Sequence, residues 1–136
     1  MPKDIPADAE EISLGGFNKF VGPLYRLPDE EGRALYVFQI GPKHMNAAGT
    51  VHGGMLMAFA DVAMSRTARL VTGAGTCSTV SLVCDFLRPG RLGEVVEARV
   101  RVTRKARTLV FLAAELCGET DLLLTASGTW KIGDAA

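Results

Sequence analysis

A chain of 136 residues with 48% apolar and 22% charged residues has the composition of a globular protein able to bury one core. Lys plus Arg and Asp plus Glu both number 15, so the net charge of zero gives no general reason to bind nucleic acid or an anionic membrane. No run reaches the roughly 18 apolar residues of a membrane span, and the amino terminus lacks a signal-peptide pattern, so we expect a cytoplasmic protein.

The three cysteines, Cys77, Cys84 and Cys117, are far apart and odd in number, and they form no CxxC pair. This pattern argues against a disulfide framework or a thiolate metal site. We expect small core residues in a reducing compartment.

The first 30 residues precede the regular elements of the predicted fold. A short helix is expected around residues 7–14, followed by an aromatic stretch that Gly22 and Pro23 interrupt. We expect one domain over residues 1–136, in which residues 1–30 pack as a helix or flap on a core of residues 31–136.

The core begins with a strand and a long helix. Residues 33–40 (RALYVFQI) have strand propensity, and Gly41-Pro42 ends the run. A helix is predicted over residues 53–71, with Gly73 as its carboxyl-terminal cap.

Four further strands are predicted after the helix. Residues 78–87 and 94–104 alternate apolar and polar side chains with the period of a strand, and residues 108–116 and 122–132 complete the set. One helix beside antiparallel strands predicts an α+β fold, a curled sheet wrapped around the helix. Because the helix is apolar nearly all round, one sheet cannot cover it, and we expect an oligomer.

The helix opens on His52-Gly53-Gly54. Amide groups of a first helical turn have no intrahelical acceptor, so they suit an anion or a developing oxyanion, and glycine lets a ligand approach the backbone. The alternative is a tight turn into a packed helix. The spacing of a phosphate-binding P-loop is absent.

Asp61 lies in the middle of this apolar helix. An unpaired buried carboxylate costs several kcal/mol, so Asp61 faces solvent, pairs with an arginine such as Arg66, or has a chemical task. Gly53 and Asp61 lie about 12 Å apart along the axis, too far to act on one reacting group. Two helices paired antiparallel across a two-fold axis would bring the Asp61 of one to the Gly53 end of the other.

A family resemblance rests on two runs. Residues 46–54, NAAGTVHGG, are followed by Asp61 and then by residues 79–94, TVSLVCDFLRPGRLGE. Together they resemble the hotdog-fold acyl-CoA thioesterases of the PaaI-like group, which includes phenylacetate-pathway and 4-hydroxybenzoyl-CoA enzymes. The resemblance covers roughly residues 33–132. It implies a curved antiparallel sheet of five to six strands around one central helix, in a homodimer with two shared sites and commonly a homotetramer.

The resemblance also implies the catalytic roles. Asp61 would be the nucleophile or the general base for water, and the Gly53 amide the oxyanion donor. Thr79 falls where relatives place a hydroxyl near the carboxylate, with Ser81 as its rival.

Asn46 would help to hold the thioester carbonyl or the lytic water, and His52 would shape the loop and support that carbonyl. Thioester hydrolysis needs a nucleophile and backbone donors, and thiolate leaves readily, so we expect no cofactor and no metal. A metal site formed by His44 and His52 with Asp61 is conceivable, but the three residues do not have the spacing of a metal site.

The nucleotide end of coenzyme A requires local positive charge in this neutral chain. In relatives, two turns bind it; here these turns carry Arg88 and Arg91, and Arg104, Lys105 and Arg107. The alternative for each is ordinary solvated charge.

Two other functions remain open from the sequence. One is an acyl-thioester dehydratase or hydratase of the same fold, although His52 lies locked beside two glycines. The other is a non-catalytic acyl-CoA-binding module, for which Asp61 would have no use. The acyl group itself is not predicted.

Overall fold

The computed structural model describes residues 5–133, over which one seven-stranded sheet and two α-helices are seen. In chain order the elements are β1 (Glu10–Glu11), α1 (Gly16–Val21), β2 (Tyr25–Glu30), β3 (Arg33–Gln39), α2 (Gly53–Thr72), β4 (Cys77–Phe86), β5 (Val95–Lys105), β6 (Leu109–Cys117) and β7 (Leu122–Ile132). A 3₁₀ turn, Pro42–His44, lies between β3 and α2.

The strands are arranged in the order β1-β2-β3-β5-β6-β7-β4, and every neighbouring pair is antiparallel. After β3 the chain crosses the sheet through α2 and adds β4 at the far edge. The predicted α+β fold, a sheet wrapped around one long helix, is confirmed.

The core lies between α2 and the sheet. Three alanines of α2, Ala60, Ala63 and Ala68, are fully buried, and their small side chains let the sheet approach the helix closely. The largest buried side chains around them are Trp130, Tyr36, Phe38 and Phe59. In the described part of the chain, no helix is both long and apolar enough to cross a membrane.

The predicted bounds of the core elements are accurate to within one residue. The helix predicted over residues 53–71 spans Gly53–Thr72, and Gly73 ends it in the left-handed conformation at φ 71°, donating its N–H to Arg69 O at 2.8 Å. The predicted strand at residues 33–40 and the four that follow the helix are all present.

The prediction of a helix over residues 7–14 is wrong. This segment contains β1, and Ile12 N donates to Leu24 O at 2.9 Å, while Leu24 N donates to Ser13 Oγ at 2.9 Å. Ile12 and Ser13 are buried by this pairing, which outweighs the local helix propensity. The helix of this region is α1, which follows instead.

Strand β2 was not predicted, and with β1 it raises the strand count above the expected five to six. Its sequence, YRLPDE, contains Pro28, which cannot donate to a ladder and argues against a strand. The strand tolerates Pro28 because its register with β3 shifts between Leu27 and Glu30.

One face of α2 and the adjoining edge strand are left uncovered. Strand β4 exposes Val80 and Val83, each 61% accessible, together with half of Phe86. On α2, Met57 is 37% exposed. A long apolar edge strand beside an open helix face is typical of a surface that pairs with another chain.

Candidate active site

His52 is the amino-terminal cap of α2. Its backbone is extended, and its Nδ1 accepts a hydrogen bond from Gly54 N at 2.7 Å. A Cβ on residue 54 would lie 2.8 Å from the same Nδ1, so glycine is needed there for the imidazole to cap the helix. Through this bond the His52 side chain holds the loop against the start of α2.

Gly53 presents a free backbone donor. Among residues 5–133 none accepts a hydrogen bond from its N–H, because the side-chain cap goes to Gly54. An added Cβ on Gly53 would lie 3.1 Å from Cε2 of Phe86, so the phenyl ring covers the helix tip closely. At the positive end of a 20-residue helix, this amide is suited to stabilise an oxyanion.

Asp61 is partly buried and accepts a short hydrogen bond from a hydroxyl group. Thr79 Oγ1 donates to Asp61 Oδ1 at 2.6 Å, the length of a charge-assisted bond to a carboxylate. Within the described residues Asp61 forms no ion pair, and Arg66 lies instead 3.7 Å from Glu10. The alternative of an Asp61–Arg66 pair is therefore not what the structure contains.

A bulge in β4 places Thr79. Thr79 lies opposite Trp130 of β7 and Ser81 lies opposite Thr129, so Val80 is an extra residue in the strand. Such bulges commonly redirect side chains beside active sites. Of the two rival hydroxyls, the structure brings Thr79 to Asp61.

Asn46 organises the loop before α2. Its Oδ1 accepts from Ala48 N at 2.9 Å and Thr50 N at 3.0 Å, and its Nδ2 donates to Thr50 Oγ1 at 2.9 Å. Asn46 Nδ2 carries two hydrogens, and the bond to Thr50 Oγ1 uses one of them. The carbonyl oxygen has no free role toward substrate here, so any contact with a thioester would come from the other hydrogen.

His44 is a buried structural residue. Its Nδ1 accepts from Gly41 N at 2.9 Å, which assigns the proton to Nε2 for the 2.6 Å bond to Val21 O. Burial lowers the pKa of His44 below its ordinary value, and the charge of Lys43 lowers it further. The hydrogen bond to Val21 O acts in the opposite direction and raises the pKa. Over residues 5–133 no group of three metal-ligating side chains occurs.

The RPGR turn, residues 88–91, supports the loop before α2. Gly90 O accepts from Val51 N at 2.9 Å, and both oxygens of Glu94 accept backbone amides, from Arg91 at 3.0 Å and from Glu119 at 2.9 Å. These bonds give the run LRPGRLGE a structural role, because Gly90 and Glu94 hold the turn in place.

The five candidate cations do not converge within one chain. Arg88 lines a cleft with Gly53 at the start of α2, whereas Lys105 Nζ donates to Val71 O at 3.3 Å near the end of the helix. These ends lie about 27 Å apart, from 18 residues at 1.5 Å each. Arg104 and Arg107 belong with Lys105 in the hairpin between β5 and β6.

A cleft of about 480 Å³ at the RPGR turn carries charge of both signs. Arg88 and Arg91 line it together with Glu94, Glu119 and Asp121. Glu94 already accepts hydrogen bonds from two amides. A phosphate in this cleft would be attracted by the two arginines and repelled by the carboxylates of Glu119 and Asp121.

The cysteines remain free thiols. Burial raises the pKa of Cys84, and the carboxylates of Asp85 and Asp61 raise it further. Cys84 therefore stays protonated near neutral pH and is a poor nucleophile beside Asp61.

Two side chains close to this site were missed from the sequence. Phe86 lies on Gly53, a contact made between distant parts of the chain. Ser65 lies four residues after Asp61, and residues at this spacing face each other on a helix, so the sequence could have indicated the contact.

Comparison with known proteins assigns the family. Residues 48–125 match the profile of the Thioesterase superfamily. Human acyl-coenzyme A thioesterase 13 is 26% identical over 113 residues, covering 82% of this chain and 80% of that protein. A variant of the phenylacetic acid degradation protein PaaI from Thermus thermophilus superposes with a TM-score of 0.76 at 28% identity, over 86% of this chain and 98% of that one.

A third structure is more distant. The smu.793 protein of Streptococcus mutans, solved bound to acetyl CoA, has a TM-score of 0.73 at 17% identity, over 81% of this chain and 88% of that one, and it shares the fold. The chain belongs to the Thioesterase superfamily, has its hotdog fold, and is a thioester hydrolase.

Proposed function

We propose that this protein hydrolyses acyl-CoA thioesters at two sites, each shared between two copies of the chain. The observation that carries the proposal is the pair formed by Asp61, held by Thr79 on the uncovered side of α2, and the acceptor-free Gly53 amide. Thioesterase 13 supports the choice of coenzyme A by its name, and smu.793 by its bound acetyl CoA.

The spacing of the two groups favours a shared site. Gly53, Met57 and Asp61 lie four residues apart along one stripe of α2, with about 12 Å between the first and the last. Antiparallel pairing that places Asp61 against the partner's Gly53 puts the two-fold axis midway, at Met57. The exposed residues of β4 would be covered by the same contact.

The proposed chemistry needs no metal and no cofactor. With Asp61 as general base, a water molecule gives a proton to the carboxylate and its oxygen adds to the thioester carbonyl carbon. The tetrahedral oxyanion accepts a hydrogen bond from the partner's Gly53 N–H, then collapses with loss of the thiolate, which takes from Asp61 the proton that the water gave up. With Asp61 as nucleophile, the carboxylate displaces the thiolate to form an anhydride, which water then cleaves.

The same pairing would bring the separated cations together. The end of one α2 would extend about 15 Å beyond the partner's Gly53, from ten residues at 1.5 Å each. It would carry the hairpin of Arg104, Lys105 and Arg107 toward the partner's RPGR turn. Arg88 and Arg91 of that turn would then share the phosphates of one coenzyme A with the hairpin.

The activity test is a panel of acyl-CoAs of graded length and aromaticity, with a thiol reagent that reports free coenzyme A. We expect release by the wild-type protein and a loss of several orders of magnitude in Asp61→Asn, which keeps the size of the side chain. Binding of acyl-CoA without release would show a binding module instead.

Complementation tests whether the sites are shared. Asp61→Ala and Gly53→Val chains, each inactive alone, form heterodimers with one intact site out of two. Equal mixing with free exchange should recover about a quarter of wild-type activity. Mixing Asp61→Ala with the double variant restores no site and is the control. No recovery in the first mixture would place each site within one chain.

We propose a homodimer as the catalytic unit, assembled further into a homotetramer. Three free thiols suit the reducing cytoplasm.

A further inference from the structure

Trp130 is the chain's one tryptophan, and it donates a hydrogen bond toward the candidate site. Its side chain is 0% exposed on β7, and Nε1 lies 2.8 Å from Ser65 Oγ on α2. An indole N–H is only a donor, so Ser65 is the acceptor in this bond. The hydroxyl proton of Ser65 is therefore left for another acceptor.

That proton has an unusual acceptor within reach. Ser65 Oγ lies 3.5 Å from Asp61 Oδ1, one turn back along α2. Hydroxyls in helices usually donate to the carbonyl of the preceding turn, and Thr67 and Thr72 of the same helix do so at 2.8 and 2.7 Å. Ser65 instead contacts the carboxylate.

Two elements direct a hydroxyl group toward the same carboxylate oxygen. Thr79, the cross-strand partner of Trp130, donates to Asp61 Oδ1 from β4. Ser65 approaches Oδ1 from α2. No described residue donates to Oδ2, so one oxygen is fixed and the other is free to react.

Gly128 makes room for this arrangement. A Cβ on residue 128 would lie 2.9 Å from both Cη2 and Cζ3 of Trp130 and would also collide with Ser81 O, beside the bulge of β4. Glycine on β7 thus allows the indole and the bulged strand to pack together.

We propose that Trp130 and Ser65 are positioning residues for Asp61. The indole N–H turns the Ser65 hydroxyl so that its proton points to Oδ1, and together with Thr79 this orients Oδ2 toward the thioester or its attacking water. The inference rests on the proposed function for its catalytic consequence but not for its hydrogen bonds.

A spectroscopic test needs no activity. The single indole N–H gives one side-chain resonance in a ¹H–¹⁵N spectrum. Ser65→Ala should shift it upfield by removing its acceptor. Asp61→Ala should shift it too, although the indole N–H donates to Ser65 and not to Asp61, because the Ser65 proton loses its acceptor. A matched control is Tyr36→Phe, which removes a buried 2.9 Å bond to Thr67 of the same helix and should leave the resonance in place.

A kinetic test then measures the consequence. Ser65→Ala and Trp130→Phe should each lower kcat about fivefold at unchanged KM, as for loss of one hydrogen bond. The double variant should be no slower than either single one, because both remove the same contact. Ser65→Thr, which keeps the hydroxyl, should restore most of the rate, and Tyr36→Phe should stay within about twofold of wild type.

The outcomes separate the two proposals. An unshifted indole resonance in Asp61→Ala, or additive losses of kcat, would overturn the positioning role. A wild-type protein that releases no coenzyme A would overturn the proposed function, while the resonance shifts would still decide whether Trp130, Ser65 and Asp61 are coupled. Should Trp130→Phe unfold, Ser65→Ala and Ser65→Thr carry the kinetic comparison.

Discussion

Replacement of Met57 by cysteine probes the register of the proposed dimer. If Asp61 of one copy meets Gly53 of the other, the numbers of facing residues add to 114, and residue 57 faces itself across the axis. Met57 is 37% exposed in the single chain, so a cysteine there is open to such a neighbour.

The expected distance suits a disulfide. Packed helices have axes about 8–10 Å apart, and each Cα lies about 2.3 Å from its own axis. Facing Cα atoms would then be about 3.4–5.4 Å apart, which overlaps the range of about 4.4–6.8 Å for disulfides. Cross-linking should therefore go nearly to completion under mild oxidation.

The assay is a non-reducing gel after oxidation, with thiol reduction to reverse the product. The control is Met64→Cys, since Met64 is fully buried against the sheet on the same helix. The wild-type chain, with its three native thiols, corrects for their reactions. Cross-linking of Met57→Cys no faster than of Met64→Cys would refute the antiparallel register.

Three further predictions concern the site and its support. Thr79→Val removes the 2.6 Å bond to Asp61 while keeping the shape of the side chain, so kcat should fall roughly tenfold or more in the coenzyme A release assay; an unchanged kcat would deny Thr79 its role. Burial lowers the pKa of His44 in the folded chain, so as the pH falls below 6.5 His44 takes up a proton in the unfolded chain before it does so in the folded one. Stability should therefore decline from pH 7 to pH 5, and thermal melts of His44→Gln should show a weaker dependence; equal slopes would contradict this. Gly90→Ala would place a Cβ 2.8 Å from Ile40 Cδ1, so urea unfolding should give a free energy about 1–3 kcal/mol lower, and a neutral result would mean that the loop yields freely.

The core elements could be predicted because local pattern and tertiary packing agree there. Strand β5 alternates side chains with a period of two, and β6 does the same in its burial. For α2, both ends carry their own signals: glycines after His52 at the start, and Gly73 in the left-handed conformation at the end.

The amino-terminal region could not be predicted, because its structure depends on distant contacts. Residues 7–14 have the composition of a helix, but pairing with Leu24 and burial of Ile12 draw this segment to the sheet edge. Pro28 is unfavourable in a strand, and β2 forms despite it because the ladder is irregular at that point.

The sequence by itself determined the order of helix and strands, the glycine-rich helix start and the carboxylate that needs a partner, because these follow from residue types at short spacings. Only the tertiary structure decided that Thr79 rather than Ser81 meets Asp61 and that Arg66 does not. It also placed the basic turns at opposite ends of α2. These contacts depend on which side chains of a strand point toward the helix. A single bulge changes that set of side chains, and the local sequence pattern does not show where the bulge lies.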